Sequence, residues 1–192
     1  MIEKMIEGLN RLHPMSAELI DAIKVCTIIN EYPKKTIILK EGQVASYACF
    51  ILKGLTRAYY ISGSNETTRL FMDEGYVVTS WVSFQTQQPS NEFLETLEDS
   101  LLACIHHDDL QKLYHEFAEF NMIGRKLVEH FFVRSEQRTF MLRKQTAEEK
   151  YEFFIQHYPD LFQRVSQRYI ATFLGMKEET LSRVCAKALK KS

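Results

Sequence analysis

Near the N-terminus apolar residues recur every third or fourth position: Ile2, Met5, Ile6 and Leu9, then Leu19, Ile20, Ile23 and Val25. That spacing predicts two helices, the second capped by Ser16. After Pro33 the period shortens. β-branched and aromatic runs occupy 36–39, 48–52, 56–61 and 67–72, and continue at 76–78, 92–97 and 101–105. Turn formers separate them, among them Gly42, Lys53-Gly54, Ser62-Gly63-Ser64-Asn65 and Asp73-Glu74-Gly75. Short strands at such intervals predict a small sandwich or barrel.

From Asp108 the helical period returns through Leu110, Leu113, Phe117, Phe120, Ile123, Leu127, Val128, Phe131 and Phe132, with no proline before Pro159. This predicts one long helix or two in sequence. Its apolar stripe is wider than one small barrel needs. Packing on the barrel would use part of it, and a dimer seam formed by Phe120, Ile123, Leu127 and Phe131 is the favoured use of the rest. Thr146 and Glu149 then have the spacing of a capping box, opening a fresh helix with Tyr151, Phe154, Ile155 and Tyr158. The expected fold class is therefore α+β, with domains at 1–145 and 146–192. No Gly/Ser-rich linker joins them, which implies a stiff connection.

The C-terminal segment carries the clearest chemistry. Ser166 can cap a helix over about 167–174, whose Ile170, Ala171 and Leu174 share a face. Gly175 sits where the chain must turn sharply, and Met176 would plug the space between helices. A second helix follows over about 177–190, with Leu181, Val184, Cys185 and Ala188 facing inward. Two short helices around a tight glycine turn match a helix-turn-helix, whose second helix enters the major groove. An αα-hairpin with a solvated basic face fits the same pattern.

Charge favours the first reading. The whole chain nets −1, yet residues 166–192 hold six basic and two acidic side chains, so 1–165 carries −5. A basic module on an acidic body suits phosphate docking.

Composition removes other classes. With 45% apolar and 26% charged residues the chain is neither disordered nor fibrous, and 7 Gly with 4 Pro are too few for an all-β protein rich in tight turns. No apolar run reaches the ~18 residues of a membrane span, and no signal peptide is readable. A soluble cytoplasmic protein is expected. Cys26, Cys49, Cys104 and Cys185 lack CxxC spacing and are expected as buried thiols. His106 and His107 would point to opposite faces of a strand, so no metal site is expected. No GxSxG, HExxH or phosphate-loop pattern is present, and neither a catalytic role nor a cofactor is expected. Tyr60, Trp81, Phe84 and Phe93 would line the barrel interior, as core or as the wall of an apolar pocket.

Taken in order, Tyr32-Pro33, Lys40-Glu41-Gly42, Phe50-Ile51-Leu52-Lys53-Gly54, the long helix, and Ile170-Ala171-x-x-Leu174-Gly175-x-x-x-Glu179-Thr180-x-Ser182-Arg183 resemble the cyclic-AMP receptor protein/fumarate-nitrate regulator (CRP/FNR) type of transcription factor. The resemblance spans almost the whole length. It implies a ligand-sensing β-roll of jelly-roll type, a dimerisation helix and a winged helix-turn-helix. It also implies double-stranded DNA as partner, a homodimer, an unidentified small-molecule effector, and RNA polymerase as a further candidate partner. Glu179 and Arg183 match the family's base-reading pair, although a surface ion pair between them is equally feasible geometrically. Lys177, Thr180, Ser182 and Lys187 are candidate DNA contacts. Glu178 stands where many relatives carry Arg, which implies a different preferred DNA sequence.

Two departures bear on function. The family's cyclic-nucleotide cassette uses a Glu for the ribose and an Arg for the phosphate. By alignment those positions hold Ser80 and Ser90, so cyclic AMP is not expected to bind tightly in the usual mode. Tyr60, Ser80, Trp81, Ser90 and Phe93 are the candidate effector-pocket residues. No N-terminal cysteine cluster suggests an iron–sulfur centre. No wing is expected after Lys191-Ser192. The competing function is a small-molecule-binding protein whose terminal hairpin is only structural.

Overall fold

The computed structural model describes residues 2–144 and 146–189. It begins with α1 (Glu3–Leu12) and α2 (Ala17–Cys26). Ser16 caps α2, its Oγ accepting the Leu19 N–H at 3.2 Å. Strands β1 (Thr27–Tyr32), β2 (Ile37–Leu39), β3 (Tyr47–Lys53), β4 (Thr56–Ser62), β5 (Asn65–Met72) and β6 (Val77–Val78) follow. A short helix α3 (Trp81–Thr86) then interrupts the strands before β7 (Phe93–Thr96) and β8 (Ser100–His106). They form two four-stranded sheets, ordered β1-β8-β3-β6 and β2-β7-β4-β5. The mixed helix-and-sheet class and the β-roll agree with expectation. Neither β1 nor α3 was legible: β1 follows α2 with no turn former between them, and α3 spans only six residues.

Antiparallel pairing of β3 with β8 places Cys49 opposite Cys104 with their Cα atoms 3.9 Å apart, and the two form a disulfide. This corrects the expectation of four thiols. Both residues are buried, but 55 positions separate them, so spacing gives no hint of their pairing. Of the other two, Cys26 is half-buried and Cys185 buried, and burial pushes both thiols up.

On the other face of the first sheet, Met5 and Leu9 of α1 and Leu19 and Ile23 of α2 pack with Ala103 and Ile105. They are joined by Leu113 of α4 (His107–Glu116) and by Phe120 and Ile123 of α5 (Ala118–Leu142). The long apolar segment is thus two helices, broken at Phe117, where the backbone is extended. The terminal elements are α6 (Ala147–His157), α7 (Leu161–Arg164), α8 (Gln167–Phe173) and α9 (Glu178–Leu189). The capping box is formed: Thr146 Oγ1 accepts the Glu149 N–H at 3.2 Å, and Glu149 Oε2 accepts the Thr146 N–H at 3.0 Å.

The chain divides into two compact units, one of Met1–Tyr60 with Leu70–Glu129, the other of Ile61–Arg69 with His130–Ser192. The division falls inside α5, not at 145/146, because the second half of that helix and the β4–β5 hairpin pack with the C-terminal helices. Among the described residues no helix is long and apolar enough to cross a membrane.

Candidate nucleic-acid interface and sensory roll

In the C-terminal unit α8 buries Ile170, Ala171 and Phe173, and Leu174 follows them into the core. Ser166 takes the extended backbone of a cap residue, yet its side chain makes no capping bond. The turn closes through Gly175 N–H to Thr172 O (3.1 Å) and Met176 N–H to Ala171 O (3.0 Å). Gly175 has φ +65°, a left-handed conformation that a side chain would strain. This reverses the chain so that Leu181, Val184 and Cys185 of α9 pack inward.

The opposite face of α9 is open. Glu178, Glu179, Ser182, Arg183 and Lys187 are exposed, as is Lys177 just before the helix, and Thr180 is half-buried. Glu179 and Arg183 lie one turn apart on the same face. Arg183 Nη2 reaches Thr180 Oγ1 at 3.4 Å rather than pairing with Glu179. Lys187 Nζ is held by Glu148 of α6 at 3.1 Å, so it is tied to its own unit. Lys190 and Lys191 lie outside the described residues.

The five candidate pocket residues do not converge. Ser80 precedes α3 and Ser90 lies between α3 and β7; both are buried and their hydroxyls share a hydrogen bond at 3.0 Å. Ser90 Oγ also donates to the Glu92 carbonyl (3.0 Å) and accepts the Glu92 N–H (3.1 Å). Phe93 is instead stacked on Tyr59, ring centroids 5.0 Å apart. Tyr60 is 41% exposed, because alternation along β4 sends it to the face opposite Tyr59. Trp81 lines a different cavity, on α3. Phe84 is fully buried core.

Sequence reasoning missed a charged pair on these strands. Arg57 of β4 and Glu95 of β7 are register partners, both buried, and Arg57 Nε and Nη2 each lie 2.7 Å from Glu95 Oε2. The guanidinium also sits 4.0 Å over the Tyr59 ring. A second missed contact joins Thr172 of α8 to Thr68 of the β4–β5 hairpin. Alternating apolar runs mark strands but do not identify their partners.

The dimer assignment needs correction for two of its four residues. Phe120 and Ile123 are buried inside their own unit, because the first half of α5 already covers α1 and α4. Leu127 and Phe131 are half-buried. The exposed apolar residues of α5 are Met122, Val128, Val133, Phe132 and Phe140, the last two 63% and 73% exposed.

His106 ends β8 and His107 begins α4, so they do not share a strand as expected. The His107 ring bonds Asp108 at 3.1 Å and holds that carboxyl below its ordinary value. Among the described residues no group of three or more His, Cys, Asp or Glu could hold a metal ion.

Residues 29–117 match the cyclic nucleotide-binding domain family. No curated protein matches the chain in sequence. Solved structures share the fold along most of the chain. FixK2 from Bradyrhizobium japonicum superposes with a TM-score of 0.74 at 20% identity, covering 86% of this chain and 85% of its own. The c-di-GMP responsive global regulator CLP of Xanthomonas campestris gives 0.70 at 18%, covering 92% and 93%. A Eubacterium rectale protein assigned to the CRP/FNR transcriptional regulators gives 0.72 at 15%, covering 92% and 85%. The chain thus has the fold of these regulators, and its residues 29–117 match the cyclic nucleotide-binding domain family.

Proposed function

We propose that the protein is a homodimeric, DNA-binding transcriptional regulator of the CRP/FNR type, acting in the cytoplasm, whose roll senses something other than cyclic AMP. The observation that carries this reading is the α8–Gly175–α9 pair: its inner face is fully packed, while Lys177, Glu179, Ser182 and Arg183 stand exposed together. A guanidinium at Arg183 can grip guanine O6 and N7, and the Glu179 carboxylate can accept from cytosine N4. Lys177 supplies a phosphate contact at the start of α9. Lys187 joins them once a phosphate competes for it with Glu148. In a twofold dimer the two recognition helices would read half-sites ~34–36 Å apart. RNA polymerase is the partner such a complex would recruit.

The roll supports altered sensing. At the aligned cassette positions two serines satisfy one another, and Glu92 is the nearest acidic neighbour in sequence. A cyclic phosphate placed there would meet no arginine from the cassette. CLP, which shares the fold, responds to c-di-GMP, so the fold serves effectors beyond cyclic mononucleotides. Phe93, Tyr60, Ser80, Ser90 and Trp81 remain candidates for separate roles in that response, not for one pocket.

The test is a binding titration against partly palindromic duplex DNA at several salt concentrations. Affinity should fall steeply as salt rises, reflecting the phosphates engaged. Binding indifferent to salt, or none in dilute buffer, would leave the terminal hairpin a purely structural element of a small-molecule-binding protein.

A further inference from the structure

A cavity of about 80 Å³ lies on the outer face of the first sheet, within the N-terminal unit. β3 and β8 floor it with Phe50 and Ala103, residues that alternate with the disulfide cysteines and so face away from the roll interior. Met5 of α1 and Trp81 of α3 form its sides, and Tyr114 of α4 and Gly124 of α5 close it. Gly124 makes that closure possible: a Cβ there would come within 2.6 Å of the Tyr114 ring. None of the lining residues is charged. Gln85 and the Tyr114 hydroxyl are its polar side-chain groups beside the Trp81 indole.

Close-packed interiors keep few voids larger than a water molecule, because an unfilled void forfeits dispersion contacts. A dry apolar cavity of roughly 150 Å³ takes up benzene or xenon. This one is smaller, but the exposed Val128 is part of its wall, so part of an occupant can protrude.

We propose that the cavity holds the apolar end of an uncharged small molecule, about three or four non-hydrogen atoms inside and the remainder outside, carrying at most one or two polar groups. A charged ligand is excluded because no lining group would compensate its desolvation. The site is distinct from the Ser80–Ser90 cassette. Its wall includes Gly124, Leu127 and Val128 of α5, so its occupant touches the helix that continues into the C-terminal unit.

Trp81 is the single tryptophan of the chain and lies in the cavity wall, so its emission reports occupancy directly. The full chain is titrated with cyclohexanol and, in parallel, with cyclohexanecarboxylate, without DNA, so the outcome is independent of the DNA-binding reading. Cyclohexanol should change Trp81 emission saturably and raise Tm; the carboxylate should do neither. Filling the cavity with Ala103→Leu, or narrowing its mouth with Leu127→Phe, should raise the half-saturating concentration at least about tenfold. A response linear in cyclohexanol, equal for the carboxylate, or undiminished in the filled variants overturns the proposal. The wild-type comparison decides the matter even if a filled variant does not fold.

Discussion

Thr172 Oγ1 on α8 accepts the backbone N–H of Thr68 at 3.2 Å and lies 3.1 Å from the Thr68 hydroxyl. Thr68 is fully buried, and 104 residues separate the pair. Within the C-terminal unit, the β4–β5 hairpin is therefore bonded to α8. Thr172→Val keeps the shape but removes the acceptor, leaving a buried N–H unsatisfied. The variant should lose about 1–3 kcal/mol in urea unfolding, while Thr172→Ser loses less. Equal stability of the valine variant would show that the contact contributes nothing.

The Arg57–Glu95 pair sits in a setting where removing one member is worse than removing both. Glu95→Leu leaves a buried guanidinium short of its carboxylate and should cost about 3–5 kcal/mol. Arg57→Met combined with Glu95→Leu should cost clearly less than the two single changes together. Chemical denaturation of the four proteins in the cycle measures this coupling. Strictly additive losses would mean that the two side chains act independently despite their 2.7 Å separation.

Glu119 at the start of α5 accepts both the N–H (2.9 Å) and the hydroxyl (2.6 Å) of Ser16. These hydrogen bonds hold its carboxyl below the ordinary value. A lowered folded-state pKa means that the stabilisation is complete above the unfolded value and disappears as pH falls through the folded one. Glu119→Gln should therefore lower Tm at neutral pH, and the gap between the two proteins should narrow in acid, below the usual carboxylate range. A gap independent of pH, read by thermal melts across that range, contradicts this assignment.

These contacts show where sequence reading succeeds. Features written in a few adjacent residues were legible: the Thr146–Glu149 capping box, the Gly175 turn and the inward set Ile170, Ala171, Leu181 and Val184. The pairings of Cys49 with Cys104, Arg57 with Glu95 and Thr68 with Thr172 were not, because they depend on strand register and on packing across 38 to 104 residues. The same limit explains Phe120 and Ile123. Along a helix with apolar residues around much of its circumference, periodicity marks a face but not its partner, and the intramolecular core took the first two turns.

The base reading proposed for α9 can be separated from phosphate contact. Arg183→Ala should relax preference at one base-pair position, costing about 1–3 kcal/mol on the preferred sequence and little on others. Lys177→Ala should weaken binding to all sequences alike and reduce the salt slope by about one. Competition assays with operator variants distinguish the two patterns. Unchanged base preference in the Arg183 variant would remove that residue from the reading role.

The remaining exposed apolar face concerns assembly. Phe132 and Phe140 are eight residues apart on α5, and with Val133 and Phe153 they line one groove within the C-terminal unit. Aromatic rings left this open on a helix call for a cover, and a second copy of the same helix is self-complementary by symmetry. Burying each ring is worth about 1.5–3 kcal/mol, and a twofold axis makes every substitution count twice. Phe132→Glu with Phe140→Glu should thus convert a dimer to a monomer in sedimentation velocity, without unfolding it, since neither ring belongs to the core of its own chain. The monomer should retain weak binding to a single half-site and lose the dependence on half-site spacing. A double variant that stays dimeric would place the seam elsewhere on the chain. The proposed spacing of the recognition helices would then lose its structural basis.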